Sequence, residues 1–523
     1  MNFSQLLCLV MPKKGVARRQ PKLVLRNAKT LVLASPFLLI CNSHAWSKES
    51  ENKDLLTVEQ IKEELLLIEN LLEQQHPNFG FYKPTADVKN AFAQVRKSQT
   101  QPLSRQAFFD LAFPLVAQVK DSHTCLSAPL EIRRQYFDYN KKALPLLLTF
   151  HEDFAVLNRT HPMIAAGTKI LEINDRTVPE IIEALADYSC QDGKNVSATL
   201  HRINQNFPVL YQRAFGESVN FSVNTVNQMG ETTSVDVESY PLNAMSSIYS
   251  PSDSLRSFIK TRWKQNEETY YIKLRSFLVG KERFARSIDR VFKDIREKKA
   301  KHLILDLRGN GGGWVANASL MLAYLLNSRH HFPHYFHVPN QKLASLAPVL
   351  SNRKISKDKK ELLEDANSFI RRIKRFRGRK RAFPKGLYAL ARSQAWGKKA
   401  YNGELHVLID GGTYSAASML AAQLRLKRKV TFYGDIAGGA PNRNCSSPHH
   451  AYALPHSGLK LQVAWNCNIE KLNKKPEVFK PNVFFVDEAS DSRWKDRLLK
   501  QVYKRIAGKW FPPLPQTKPT ELQ

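Results

Sequence analysis

The sequence predicts a multidomain protein of mixed α/β and α+β class, and three observations carry that prediction. Its 523 residues exceed what one hydrophobic core ordinarily organises. Apolar residues at 43% and charged residues at 24% are the proportions of a globular chain, not of a disordered one. The texture also changes twice, from helical to β-like and then to a regular alternation of strand and helix.

Residues 54–130 read as helical. Leu55, Ile61, Leu65, Ile68, Leu71 and Leu72 recur near helical spacing, and Thr57 with Gln60 forms a capping-box pattern. A second helical stretch, 105–119, follows Pro102 and Ser104. Between about 140 and 245 the chain breaks into short β-like runs at 146–150, 154–157, 169–173, 219–223 and 233–237. From 269 onward strands are expected at 270–274, 303–307, 405–409 and 430–433, with helices at 281–298, 314–327 and 415–426. Strands alternating with helices imply a sheet covered by its own crossovers. The division expected is a leader over 1–45, a helical region over 46–135, a β-rich module over 136–245, an α/β core over 246–500 and a tail over 501–523.

The first 45 residues have the order of a secretory signal. Seven cations and no acid precede an apolar run from Thr30 to Cys41, and Ser43-His44-Ala45 supplies small residues for cleavage after Ala45. The run is about 12 residues, short of the roughly 20 that a helix needs to span a bilayer. The expectation is export, to a periplasm or beyond the cell. The formal charge of +32 then points to anionic envelope polymer or lipid head groups as partners, and export argues against nucleic acid. Much of that charge sits in an insertion over 330–400, densest between Phe369 and Phe383. A solvated basic face is the alternative reading of that segment.

Two strand ends carry the strongest chemical signals. In the first, Leu303-Ile-Leu-Asp306-Leu-Arg308-Gly309-Asn310-Gly311-Gly312-Gly313, an apolar strand runs into a glycine turn. Glycines let backbone N–H groups approach a ligand, and a following helix adds positive potential. The turn lacks the Lys-Ser/Thr ending of a phosphate loop and the spacing of a dinucleotide fingerprint. An oxyanion-binding turn fits better. In the second, Leu405-His-Val-Leu-Ile-Asp410-Gly-Gly-Thr-Tyr-Ser415-Ala-Ala, a strand ends in two glycines and Ser415 opens a helix. Such a serine projects its oxygen from the carboxyl end of the sheet, and the Ala416 N–H lies where an oxyanion would form. Serine also caps helices well, so this segment alone leaves both readings open.

The two segments together, in this order and about 100 residues apart, resemble the tail-specific (C-terminal-processing) serine protease family. Gly434-Asp-Ile-Ala-Gly438-Gly439 and Leu454-Pro-His-Ser-Gly458 resemble its later loop and hairpin, and residues 164–185 resemble the end of a PDZ-like module. The resemblance implies a serine peptidase that acts through an acyl-enzyme on Ser415 and takes a peptide or protein substrate by its C-terminus. It implies no metal and no other cofactor. The base differs between branches. Where many members carry a lysine about 25 residues past the serine, this chain reads Ala437-Gly-Gly-Ala440. Asp121-Ser122-His123-Thr124 instead resembles the branch of the tricorn core and nisin-resistance proteases, which takes a histidine from the N-terminal region. By that resemblance His123 is the base, Ser122 orients or relays to it, and a late glutamate, Glu470 or Glu477, completes the set. Ala416 and Gly312 supply the oxyanion hole through their backbone N–H groups, while Asp306 and Arg308 hold the turn. Ser418 stands where many relatives have glutamate. The rival reading is a non-catalytic ligand-binding or adaptor protein on the same scaffold.

Four cysteines lie beyond the leader: Cys125, Cys190, Cys445 and Cys467. A hairpin turn at His456-Ser457-Gly458 would bring Cys445 and Cys467 to within two places of each other along opposed strands. A turn centred on His456, or a bulge, would bring their sulfurs opposite, within disulfide reach. Two unrelated cysteines remain the alternative.

Overall fold

The computed structural model describes residues 55–129, 141–242, 245, 257–326, 335–337, 400–441, 443–469, 478–485 and 496–509. The expected leader, nearly all of the basic insertion, Glu470 and Glu477 lie outside the described residues.

The N-terminal part runs β1 (Leu55–Leu56), α1 (Val58–Gln75), α2 (Thr85–Ser98), β2 (Leu103–Ser104), α3 (Arg105–Ala117) and β3 (Cys125–Ser127). Thr57 caps α1 through a reciprocal box with Gln60, a device worth about 1 kcal/mol. Ser104 caps α3 by accepting the Ala107 N–H. The apolar stripe of α1 is buried against α2, α3 and Tyr452, Leu454, Leu461 and Val463. The N-terminal helices therefore share one core with residues more than 300 positions later.

The middle part contains β4 (Lys142–Ala143), β5 (Leu148–Phe150), β6 (Ala155–Leu157), β7 (Lys169–Ile173), β8 (Arg176–Thr177), α4 (Val178–Ala186), α5 (Val196–Phe215), β9 (Asn220–Val226), β10 (Thr232–Glu238) and β11 (Tyr240–Pro241). Strands β10, β9, β7, β6 and β5 lie side by side in that order, and β8 pairs with β7. Two helices occupy a stretch whose texture reads as β. Helix α4 starts at a Thr177–Glu180 capping box with proline in its first turn. Helix α5 is interrupted by non-helical Asn206 just before Pro208. That break shortens its hydrophobic period and hides it from a pattern search.

The third part holds β12 (Ile259–Lys264), β13 (Thr269–Leu274), α6 (Lys281–Glu297), β14 (His302–Asp306), α7 (Val315–Leu326), β15 (Tyr335–His337), β16 (Glu404–Ile409), α8 (Ala416–Lys427), β17 (Val430–Gly434), β18 (Arg443–Ala453), β19 (Lys460–Ile469), β20 (Val483–Phe484) and α9 (Arg497–Ile506). Its six-stranded sheet has the order β12-β13-β14-β16-β17-β20. Strand β12 is antiparallel to β13, and the remaining pairs are parallel. The period of two sorts the side chains onto two faces. Leu303, Leu305, Leu405, Val407 and Ile409 pack under α6, α7 and α8. Ile304, Leu408 and Tyr433 face α9 through Leu498, Val502 and Tyr503. The parallel order points the carboxyl ends of β14 and β16 the same way, which brings their glycine turns together.

Strands β18 and β19 form a long hairpin in which Ala453 pairs with Lys460 and, beyond a register shift between Ser446 and His449, Cys445 pairs with Cys467. The bulge supplies the displacement that the hairpin arithmetic requires, and the two sulfurs are bonded. Strand β3 pairs with the other edge of β19. A second disulfide, Cys125–Cys190, ties β3 to the segment between α4 and α5. The spacing of the cysteines gave no sign of that pairing.

Candidate active site

Ser415 sits at the turn from β16 into α8 with φ +50° and ψ −123°. This is left-handed backbone that a non-glycine residue rarely adopts, at a cost of order 1–3 kcal/mol. Its hydroxyl does not cap the helix, so the competing structural role of this serine is not the one it plays. The corner is fixed from several sides. Asp410 Oδ1 accepts the N–H groups of Gly309 at 2.8 Å and Gly412 at 2.9 Å. Tyr414 N donates to Asn310 O at 3.0 Å. Asn310 is fully buried, and its side chain joins Leu274 O of β13 to the Gly312 N–H.

Gly312 has φ +95°, and a Cβ built there would stand 2.7 Å from Ser415 Cβ and 2.9 Å from Ala416 N. A side chain is excluded by this contact as well as by the backbone angle. The expectation for its amide needs correction, because the Gly312 N–H already donates to Asn310 Oδ1 at 2.9 Å. In this conformation Gly312 contributes close approach. The Ala416 N–H, at the first position of α8, is the amide left to bind charge, as a helix N-terminus does.

His123 arrives from the other end of the chain. Its Nε2 lies 3.2 Å from Ser415 Oγ and its Nδ1 lies 3.2 Å from Ser122 Oγ. The structure thus brings Ser415, His123, Ser122, Ala416 and Gly312 into one locality. Asp306 and Arg308 stand apart from the serine, in a buried network with Lys273 and Tyr271. There Asp306 accepts from Tyr271 at 2.9 Å and from Lys273 at 3.1 Å. Their place in the turn is structural.

Behind the histidine lies a buried acid that the sequence motif contains but to which no role was given. Asp121 Oδ1 accepts the His123 N–H at 3.0 Å and sits 3.7 Å from His123 Nδ1. Its Oδ2 accepts from His76 Nε2 at 2.7 Å and from Thr124 Oγ1 at 2.9 Å. His76 Nδ1 accepts the Asn78 N–H at 3.1 Å, which assigns the ring hydrogen to Nε2 and makes it the donor to Asp121. Burial raises the Asp121 carboxyl, but hydrogen bonds from His123 and His76 outweigh it and hold the acid well below the usual carboxylate range. Burial lowers His123, while its bond to Asp121 and the charges of Asp121 and Asp192 outweigh that and raise it above the ordinary imidazole value. Asp192 is pushed up by burial and by Asp121. It accepts the Ser122 N–H at 2.9 Å and the Ala440 N–H at 3.2 Å. Asp192 thereby joins the His123 turn to the loop at 437–440. Asn195 Nδ2 donates to Ala437 O of that loop at 2.9 Å. Nothing in the spacing of Asp192 or Asn195 marks them as site residues.

The family model for peptidase family S41 matches residues 268–464. Among solved structures, mature CPAF complexed with lactacystin is 14% identical, with 86% of this chain and 99% of that chain covered at a TM-score of 0.57. A mutant of the same protein is 10% identical, with 86% and 97% covered at 0.59. At such identities the likeness establishes a shared fold. No curated protein matches this sequence. The matched segment runs from β13 through the glycine turn and Ser415 to β19, and over those residues the chain is similar to the peptidases of family S41.

Proposed function

We propose that this peptidase is exported and hydrolyses peptide bonds through an acyl-enzyme on Ser415, with His123 as general base. The observation that carries the reading is the 3.2 Å approach of His123 Nε2 to Ser415 Oγ across 292 residues of sequence. The Ser415 hydroxyl donates to the Nε2 lone pair, which requires the ring hydrogen on Nδ1, facing Ser122 Oγ and Asp121. As Ser415 attacks the carbonyl carbon, its proton passes to His123. Asp121 then steadies the imidazolium, the orienting role that the sequence reading left to Glu470 or Glu477. The Ala416 N–H receives the developing oxyanion. His123 returns the proton to the leaving amine, and a water activated the same way releases the acyl group.

The leader, the PDZ-like reading of 136–245 as a dock for a substrate C-terminus, and contact of the basic insertion with anionic envelope surfaces belong to the same proposal. They rest on the sequence. Labelling of the purified protein by a fluorophosphonate probe tests the centre of it. Wild type should be labelled, and both Ser415→Ala and His123→Ala should not. Labelling that persists in Ser415→Ala would remove this serine from the mechanism.

A further inference from the structure

The carboxyl ends of β14 and β16 carry the catalytic corner. Their amino ends carry a second convergence of functional groups. His302 opens β14, Glu404 opens β16, and the two are cross-strand partners. His406 follows two places along β16, so its side chain emerges on the same face as Glu404. His302 Nδ1 lies 3.3 Å from Glu404 Oε2, and His406 Nε2 lies 3.9 Å from that same oxygen. The three atoms all fall within 4.8 Å of one another.

His406 is 7% exposed, and its buried Nε2 has no hydrogen-bond partner. The buried Nδ1 of His302 is likewise without one. Buried polar atoms normally find partners, and two adjacent orphans aimed at one carboxylate call for a ligand. On its other side His406 Nδ1 lies 3.2 Å from the Tyr433 hydroxyl, which is buried on β17. When Nδ1–H donates to that oxygen, Nε2 presents its lone pair to His302 and Glu404. Metal-binding histidines are oriented in this way by a partner on the second ring nitrogen.

We propose that His302, Glu404 and His406 form a binding site for one borderline divalent cation of the zinc class, separate from the peptidase centre. Two imidazoles and one carboxylate are a donor set suited to zinc and ill-suited to magnesium. Ligands about 2.0–2.1 Å from a tetrahedral ion stand roughly 3.3 Å apart, so the existing separations need only a modest contraction. Glu404 is largely exposed, which gives the ion a route in and leaves room for water as fourth ligand. A bound ion would pin β14 to β16 at the end opposite Ser415. Arg505 opposes binding, since its guanidinium lies 5.7 Å from the Tyr433 ring centre and adds positive charge nearby.

The test is calorimetric titration of zinc chloride into the full-length, untagged, chelator-stripped protein, with magnesium chloride as the contrasting ion. Wild type should bind one zinc at this site and no magnesium. His302→Ala and His406→Ala should each weaken that binding more than tenfold, and Tyr433→Phe should weaken it about tenfold. His302 is less deeply buried than His406, at the amino end of β14, so His302→Ala keeps the test open should His406→Ala fail to fold. His123→Ala should leave zinc binding intact, which separates this site from the His123, Asp121 and Asp192 cluster at the peptidase centre. Failure of wild type to bind zinc would overturn the proposal. So would binding that survives His302→Ala, or binding lost only in His123→Ala.

Discussion

Ser415 and His123 meet at 3.2 Å, yet the molecule holds them by opposite means. The serine is held by main chain. It lies in the turn after a buried parallel strand, opens a helix, and is boxed in by glycine turns whose amides are taken by Asp410 and Asn310. The histidine is held by side chains, a covalent bond and one strand pairing. Asp121, Asp192, the Cys125–Cys190 disulfide and the pairing of β3 with β19 place it. The main-chain corner tolerates side-chain change except at Asp410 and Asn310, whose oxygens hold its glycine amides. Placement through side chains joins distant segments and depends on each partner.

The sharpest break of this comparison removes the proposed nucleophile itself. Ser415→Ala should lower kcat by at least about 10⁴-fold, because only the oxyanion donor and substrate binding remain. Its unfolding midpoint should stay near wild type, since the serine hydroxyl caps nothing. Loss of the fold in that variant would contradict a corner held by main chain.

On the other side, Asp121→Asn should lower kcat/KM by roughly 10²–10⁴-fold, the cost of losing the charge that orients an imidazole. The pH profile gives a sign as well as a size. His123 is raised above the ordinary imidazole value by Asp121 and Asp192, so wild-type kcat/KM should fall on its acid side at a pH higher than a free imidazole would give. In Asp121→Asn that limb should move to lower pH. Stability follows the linkage rule. The raised His123 contributes stability that is complete below the unfolded imidazole pKa and lost as pH rises through the folded one. The depressed Asp121 contributes stability above the unfolded carboxylate pKa and loses it only in strong acid. An acid limb unmoved by Asp121→Asn would show that this carboxylate does not act through His123.

The same contrast explains what could be read from the sequence. Strand β7 is expected at 169–173, where the structure has it, and the core elements fall within two residues of their expected bounds. Their signals are continuous apolar runs closed by glycine, and those signals are local. Ser415 and Gly312 were legible for that reason. His123 was legible through resemblance, on a four-residue motif. Asp121 sits inside that motif, but its role depends on His76, 45 residues earlier. Asp192 and Asn195 lie in a segment with no periodic pattern, and only the closed fold carries them to the loop at 437–440. Helix α5, whose first turn abuts the serine corner, was masked by Asn206 and Pro208. At Gly312 the residue was placed but its bond to Asn310 was not foreseen, because a glycine pattern shows that backbone comes close and not which amide is free.

The two disulfides grade the comparison more finely. Cys125–Cys190 closes a separation of 65 residues and flanks His123, whereas Cys445–Cys467 closes 22 within one hairpin. The chain-entropy relation gives about 4 kcal/mol for the first and about 3 kcal/mol for the second. Replacing both cysteines of the first pair with serine should therefore cost more in denaturant unfolding, and it alone should also lower kcat. Equal kinetic effects from both pairs would argue that neither positions the base in particular.

The smallest effect bears on the strain at Ser415. Ser415 occupies φ +50° and ψ −123°, at a cost of order 1–3 kcal/mol for a residue with a Cβ. Glycine relieves that cost but loses up to about 1 kcal/mol more conformational freedom on folding. Ser415→Gly should thus be inactive yet more stable than Ser415→Ala, by about 1 kcal/mol in chemical denaturation. Comparing these two variants removes the hydroxyl from both sides, so the difference isolates the backbone. A Ser415→Gly protein no more stable than Ser415→Ala would mean the turn carries no strain at this residue. The serine would then be placed by the Tyr414–Asn310 bond and the close approach of Gly312, and the distinction between the two halves of the site would narrow.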